Sequence, residues 1–236
     1  MKVAISSSSF GAALAAGELT QLEWLERAAR EYRADGVIFD DEHFARTDVE
    51  YLAQLKKIAV DCGLVPLAVR SANLFDPASA HGDPLAVIER ASALGALFAM
   101  TCLPAPGDVP PATFVAAVAA AKAALKAAKR VNITLLLGPA PGTLAVDLGE
   151  VRHFLKDVDS AWLRYAAPAC APREALGARD RVLAVLVAPG DDLVALAELD
   201  EGARPWFVLE GPVDVERVRA LRRASAKKTL AEASVS

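Results

Sequence analysis

Eight short β-rich runs alternate with eight helical patterns along the whole chain, nearly evenly spaced and with no linker-like stretch between them. Few architectures accept such a pattern. The strand candidates are Lys2–Ser6, Gly36–Asp40, Leu64–Arg70, Leu97–Leu103, Asn132–Leu137, Ala161–Tyr165, Val182–Val187 and Trp206–Glu210. They are nearly continuous apolar runs, as expected of parallel strands covered on both faces. The spacing places helices over 20–33, 47–61, 84–94, 111–129, 146–156, 172–178, 191–200 and 213–231. Thr20-Gln-Leu-Glu23 and Thr47-Asp-Val-Glu50 fit the capping box, in which hydroxyl and carboxylate each satisfy an orphaned backbone donor. Pro84 and Pro111 suit a first helical turn, and Asp191 and Asp214 suit helix starts. Eight βα units in 236 residues predict a single-domain (β/α)8 TIM barrel over about residues 1–231, with a frayed tail at 232–236. An open doubly wound sheet fits less well. Its Gly-rich first turn is missing, and Ser6-Ser7-Ser8-Ser9-Phe10-Gly11 stands there instead.

Composition narrows the function. With 54% apolar and 24% charged residues the chain can bury a core, although 50 alanines supply much of the apolar share. A net charge of −4 argues against a nucleic-acid partner, which would call for a basic face. No apolar run approaches the roughly 18 residues of a membrane span, and the polar Ser6–Ser9 follows too soon after Met1 for a signal peptide. Cys62, Cys102 and Cys170 are odd in number and widely spaced, which predicts neither disulfides nor a CxxC metal site. The expectation is a soluble cytoplasmic protein that takes a small-molecule ligand.

In a barrel of this kind, chemistry belongs at the C-terminal ends of the strands. Strand 2 ends in Asp40-Asp41-Glu42-His43, strand 3 in Arg70 with Asn73 and His81 in the following loop, and strand 4 in Thr101-Cys102. Strand 5 runs into Gly138-Pro139, strand 6 offers Arg164-Tyr165, strand 7 runs into Ala188-Pro189, and strand 8 ends in Glu210. None of the nine lysines falls at a strand end except at the chain start, so Schiff-base chemistry is not expected. Asp191, Asp192 and Asp214 in the loops after strands 7 and 8 would repel a phosphate there.

Four stretches carry a family resemblance: Ser8-Ser9-Phe10-Gly11, Ala16 through Trp24, Asp35-Gly36-Val37-Ile38-Phe39-Asp40, and His43-Phe44-Ala45-Arg46-Thr47-Asp48. Together they resemble the sugar phosphate isomerase/epimerase family of xylose-isomerase-like barrels. The resemblance implies a divalent metal held by a Glu after strand 5, an Asp after strand 6, a His after strand 7 and a Glu after strand 8. This chain has Gly138 at the first position, Arg164 near the second, no histidine in strand 7, and keeps only Glu210. A hard divalent ion needs several oxygen ligands to offset its lost hydration, so a degenerate metal site and no cofactor are expected.

Two readings follow. In one, a sugar phosphate isomerase/epimerase-like enzyme acts on a sugar-like or anionic ligand without the metal. Glu210 and Asp40 would transfer protons, while Arg164, Arg70, His43 and Tyr165 would bind the ligand. In the other, a non-catalytic barrel binds a ligand or partner. The sequence further predicts a charge cluster of Arg164 and Glu210, joined by Asp40 and Arg70. Trp24, Trp162 and Trp206 read as packing residues.

Overall fold

The fold is a closed parallel barrel in the strand order β1 to β8. The computed structural model describes residues 1–72, 74–76, 83–108, 110–170, 182–192, 196 and 205–223. The strands are β1 (Lys2–Ser6), β2 (Gly36–Asp40), β3 (Val65–Arg70), β4 (Phe98–Thr101), β5 (Thr134–Leu137), β6 (Leu163–Pro168), β7 (Val182–Val187) and β8 (Trp206–Leu209). Closure is made by β1 against β8, with Lys2 beside Trp206 and Ile5 beside Leu209. Packed around the strands are the short α1 (Gly11–Ala15), then α2 (Gln21–Arg30), α3 (Val49–Asp61), α4 (Pro84–Leu94), α5 (Pro110–Arg130), α6 (Leu148–Val158) and a helix over 215–223. The helices expected over 172–178 and most of 191–200 lie outside the described residues, as do Asn73, His81 and the chain beyond 223.

Strand alternation divides the core in two. Outward residues such as Val3, Phe39, Val69, Leu137, Tyr165 and Phe207 pack beneath the helices. Inward residues such as Ala4, Ile38, Ala68, Met100, Leu136, Ala166 and Val208 fill the barrel. Burial on both faces explains the uninterrupted apolar runs. The Thr20–Glu23 capping box forms as expected. At α3, however, the cap is Asp48, which accepts from the Tyr51 N–H at 3.0 Å, and Thr47 stays outside. Aspartate is the stronger cap of the two candidates. Asp214 accepts from the Arg217 N–H at 2.7 Å and so caps the last described helix.

Two expectations need correction. β6 runs from Leu163 to Pro168 instead of ending at Tyr165. Alanine and proline are weak strand formers, so Ala166-Ala167-Pro168 reads locally as a loop. Pairing with β7 extends the strand all the same, with Ala166 beside Ala184 and Pro168 beside Leu186, and Ala166 belongs to the inner cluster. The second correction is α5. At 21 residues with mean hydropathy 1.3 in its most apolar window, it is long and apolar enough by composition to cross a membrane. Alanine raises that hydropathy, and Ala117, Ala121, Ala124, Leu125 and Ala128 are buried. A helix packed on a sheet passes the same test.

Candidate functional site

The C-terminal end of β1 supplies the site's scaffold. Ser6 closes β1, and Ser7 to Phe10 form a single 3-10 turn, which aims hydroxyls and a backbone N–H at the end of β2. Asp40 sits there, 6% exposed. Its Oδ2 accepts from Ser6 Oγ at 2.5 Å, Ser7 Oγ at 2.8 Å and the Ser8 N–H at 2.7 Å, while Oδ1 accepts from Arg70 Nε at 2.5 Å. Burial pushes the Asp40 carboxyl up. The Arg70 charge and the hydrogen bonds from Arg70, Ser6 and Ser7 together outweigh it and hold the group below the ordinary aspartate value. An acid so saturated with donors is an anchor.

Arg70, at the end of β3, is the hub. Its Nη1 donates to Glu210 Oε1 at 2.7 Å, and its Nη2 donates to Ser6 Oγ and Ser8 Oγ, each at 2.8 Å. Burial lowers its affinity for its proton, but Asp40 and Glu210 more than restore it, so the guanidinium stays charged. A guanidinium has five N–H donors. Four are engaged here, and the second on Nη1 has no partner among the described residues. Glu210 uses Oε1 for Arg70, and its Oε2 likewise meets no described partner. The two remaining groups come from one ion pair whose side chains are 21% and 23% exposed.

Two further contacts fix the surroundings. His43 Nδ1 lies 3.0 Å from Ser7 Oγ. The single Ser7 hydrogen goes to Asp40, so this contact requires the ring hydrogen on Nδ1. The ring packs over Gly11, where a Cβ would come within 3.0 Å of Nε2. On the other side, Arg217 from the helix over 215–223 donates to the Glu210 carbonyl at 2.9 Å through Nη1 and to the Val187 carbonyl at 2.7 Å through Nη2. It ties the ends of β7 and β8 together beneath Glu210. Arg217→Ala leaves both carbonyls without that donor and is expected to cost about 1–3 kcal/mol, measured by urea denaturation. Arg217→Lys should recover only part of it, because an ammonium cannot span two carbonyls as a planar fork does.

The structure brings together Asp40, Arg70, Glu210 and His43. Arg164 is elsewhere. Since β6 extends to Pro168, Arg164 is its second residue, on the inward face toward the N-terminal end, with Nη1 3.4 Å from the Leu163 carbonyl. It forms no ion pair with Glu210, and Arg70 makes that pair in its stead. Tyr165 points outward into the layer under the helices, 1% exposed, and does not face the mouth. Sequence reasoning overlooked Ser6, Ser7 and Ser8, although the strand-end rule applied to strand 1 points straight at them. Arg217, which acts on backbone carbonyls, leaves no sequence signal.

At the strand ends where the resemblance calls for metal ligands, β5 is followed by Gly138, β6 ends in Ala167-Pro168, and β7 is followed by Ala188. Among the described residues no three His, Cys, Asp or Glu side chains converge.

No family model matches the sequence, and no curated protein matches it. Solved structures do. The 3-keto-D-glucoside 4-epimerase YcjR from E. coli is 17% identical over 96% of this chain and 98% of its own, with a TM-score of 0.66. An L-ribulose 3-epimerase is 16% identical over 98% of both chains, with a TM-score of 0.70. A xylose isomerase domain protein from Salmonella typhimurium LT2 is 12% identical over 97% of each, with a TM-score of 0.68. The chain therefore has the fold of the xylose-isomerase-like (β/α)8 barrels.

Proposed function

We propose that the mouth of this barrel binds a small, uncharged sugar-like molecule and moves a proton on it, as an isomerase or epimerase does, without a divalent ion. The observation that carries the reading is the half-engaged ion pair of Arg70 and Glu210, with one carboxylate oxygen and one N–H that meet no partner among the described residues. Glu210 Oε2 takes the proton from a carbon beside a carbonyl, and the remaining Nη1–H of Arg70 donates to the oxygen on which negative charge develops. Returning the proton from Glu210 to the neighbouring carbon completes an isomerisation, and delivery by a water molecule on the opposite face, with the Glu210 proton passing to solvent, completes an epimerisation. The guanidinium supplies positive charge at a mouth where the described residues gather no cluster of metal donors.

Charge decides between a sugar and its phosphate. One guanidinium faces two carboxylates here, so the cluster carries a net negative charge, and Asp191 and Asp214 flank Arg217. A phosphate would meet repulsion, whereas hydroxyls can both donate to Glu210 and accept from Arg70. Asp40, with both oxygens occupied by donors, positions Arg70 and takes no part in proton transfer. His43 and the serines hold that arrangement. The three free cysteines suit the reducing cytoplasm, where we place the reaction.

Solvent exchange tests the proposal. With a chelator present in D2O, the protein should introduce deuterium at the carbons flanking the carbonyl of unphosphorylated ketoses, followed by NMR. Glu210→Gln should lower that rate by about 10²–10⁴-fold while leaving the unfolding midpoint close to wild type. Sugar binding with no exchange by the wild type would make this a non-catalytic barrel. Exchange that appears only when divalent ions are added would overturn the metal-free mechanism.

A further inference from the structure

One hydroxyl at the barrel mouth is exposed and only partly used. Ser8 lies in the 3-10 turn after β1 and is exposed, whereas Ser6 and Ser7 beside it are fully buried. Its Oγ accepts from Arg70 Nη2 at 2.8 Å and lies 3.0 Å from Ser6 Oγ. The single hydroxyl hydrogen of Ser6 goes to Asp40 Oδ2, a carboxylate oxygen that can only accept. In the contact between the two serines the donor is therefore Ser8. A hydroxyl has one hydrogen and two lone pairs. On Ser8 the hydrogen and one lone pair are engaged, and the second lone pair meets no partner among the described residues. It joins the second Nη1–H of Arg70 and Glu210 Oε2, which are in the same condition. Arg70 connects all three, meeting Glu210 through Nη1 and Ser8 through Nη2.

We infer that Ser8 is a specificity-determining residue: it accepts a hydrogen bond from a hydroxyl beside the ligand's carbonyl, and so selects which flanking carbon Glu210 deprotonates. The inference rests on the proposed proton transfer and adds its regiochemistry. With the carbonyl oxygen on the remaining Nη1–H, Glu210 and Ser8 stand against different terminal nitrogens of one guanidinium and flank that oxygen. A hydroxyl on one neighbouring carbon donates to Ser8, which presents the carbon on the other side to Glu210. Its C–H bond breaks, the proton passes to Oε2, and the electron pair forms the enolate whose oxygen stays on Arg70. A proton from solvent, exchanged onto Oε2, returns to the same carbon. Acceptor, donor and acceptor in that order match an α-hydroxy ketone.

Hydroxyacetone tests this directly, because its carbonyl has a hydroxymethyl group on one side and a methyl group on the other. In D2O with a chelator present, NMR follows deuterium entering both carbons above the rate in buffer alone. With the hydroxyl on Ser8, the methyl carbon faces Glu210. Ser8→Ala should therefore lower the methyl-to-hydroxymethyl ratio of protein-catalysed exchange by about three- to tenfold, the worth of one hydrogen bond. The ratio is internal to one molecule, so the amount of folded protein does not move it. Nor does a loosened Arg70, which would slow both carbons alike. Glu210→Gln should slow exchange at both. A ratio that Ser8→Ala leaves unchanged overturns the role of Ser8, and if Glu210→Gln still slows both carbons, the proton transfer stands without it. Conversely, a ratio that falls in Ser8→Ala while Glu210→Gln alters neither rate keeps Ser8 as the residue that reads the hydroxyl and overturns Glu210 as the base. No exchange at either carbon by the wild type overturns both.

Discussion

Arg70→Met will lower the unfolding free energy by about 3–5 kcal/mol, because it strands Asp40 and Glu210 at the barrel mouth without their cation. Methionine keeps most of the side chain's volume, so the loss reports charge and hydrogen bonding more than a cavity. The pH dependence identifies the cause. In the wild type, Asp40 titrates below its ordinary value of 3.8, so its contribution to stability is complete above that pH and is lost as the pH falls toward the folded-state value. In Arg70→Met the charge and the Nε–H that lower Asp40 are gone, while the burial that raises it remains. The variant's deficit should therefore be widest near neutrality and should narrow as the solution is acidified through about pH 3.8 and both forms of Asp40 become protonated. Urea titrations across that range provide the measurement. A deficit that stays constant from neutral to acid pH would mean that packing, not the buried charges, carries the effect. Asp40→Asn combined with Arg70→Met should be less damaging than the sum of the two, since the second change removes the charge the first one strands.

The barrel was legible because its signals are local. Alternating runs, first-turn prolines and acid caps each follow from a few neighbouring residues, and β1, β2 and β7 have the boundaries their sequences predict. Legibility failed where the closed sheet overrides local preference. Ala166-Ala167-Pro168 forms strand because β7 pairs with it, Ala184 beside Ala166, Val185 beside Ala167 and Leu186 beside Pro168, and the shift moved Arg164 from the mouth toward the opposite end. The charged cluster was half visible. Asp40, Arg70 and Glu210 announce themselves at strand ends, but which cation meets Glu210 depends on strand register, which a one-dimensional reading sets only to within a residue or two. The serines after β1 were in plain view and lacked only the question of what a run of hydroxyls would satisfy. Asp40, with three of its four donors drawn from that run, answers it.

The end of the barrel remote from the site should behave as an independent unit, and Trp206 is where to test that. Its ring fills the N-terminal end of the barrel at 8% exposure, with Lys2 Nζ 5.1 Å from the ring centroid. Gly36 makes the room, since a Cβ there would fall 2.9 Å from Trp206 Cζ3 and 2.9 Å from the Val65 carbonyl oxygen. Trp206→Ala is expected to cost about 3–5 kcal/mol through the emptied volume. Gly36→Ala should cost about 1–3 kcal/mol by overpacking. The pair separates the two contacts of that Cβ. Removing the indole relieves one of them, but the Val65 carbonyl is backbone and cannot step aside. Gly36→Ala should therefore remain destabilising in the Trp206→Ala background, by less than in the wild type. Full rescue would show that the ring was the whole obstacle. Throughout the series, ligand affinity at the mouth should hold steady at temperatures well below each variant's midpoint, because Trp206 and Gly36 begin their strands while Glu210 and Asp40 lie at the far ends of the same two. A parallel fall in affinity and stability would instead tie the packed floor of the barrel to the geometry of the Arg70–Glu210 pair.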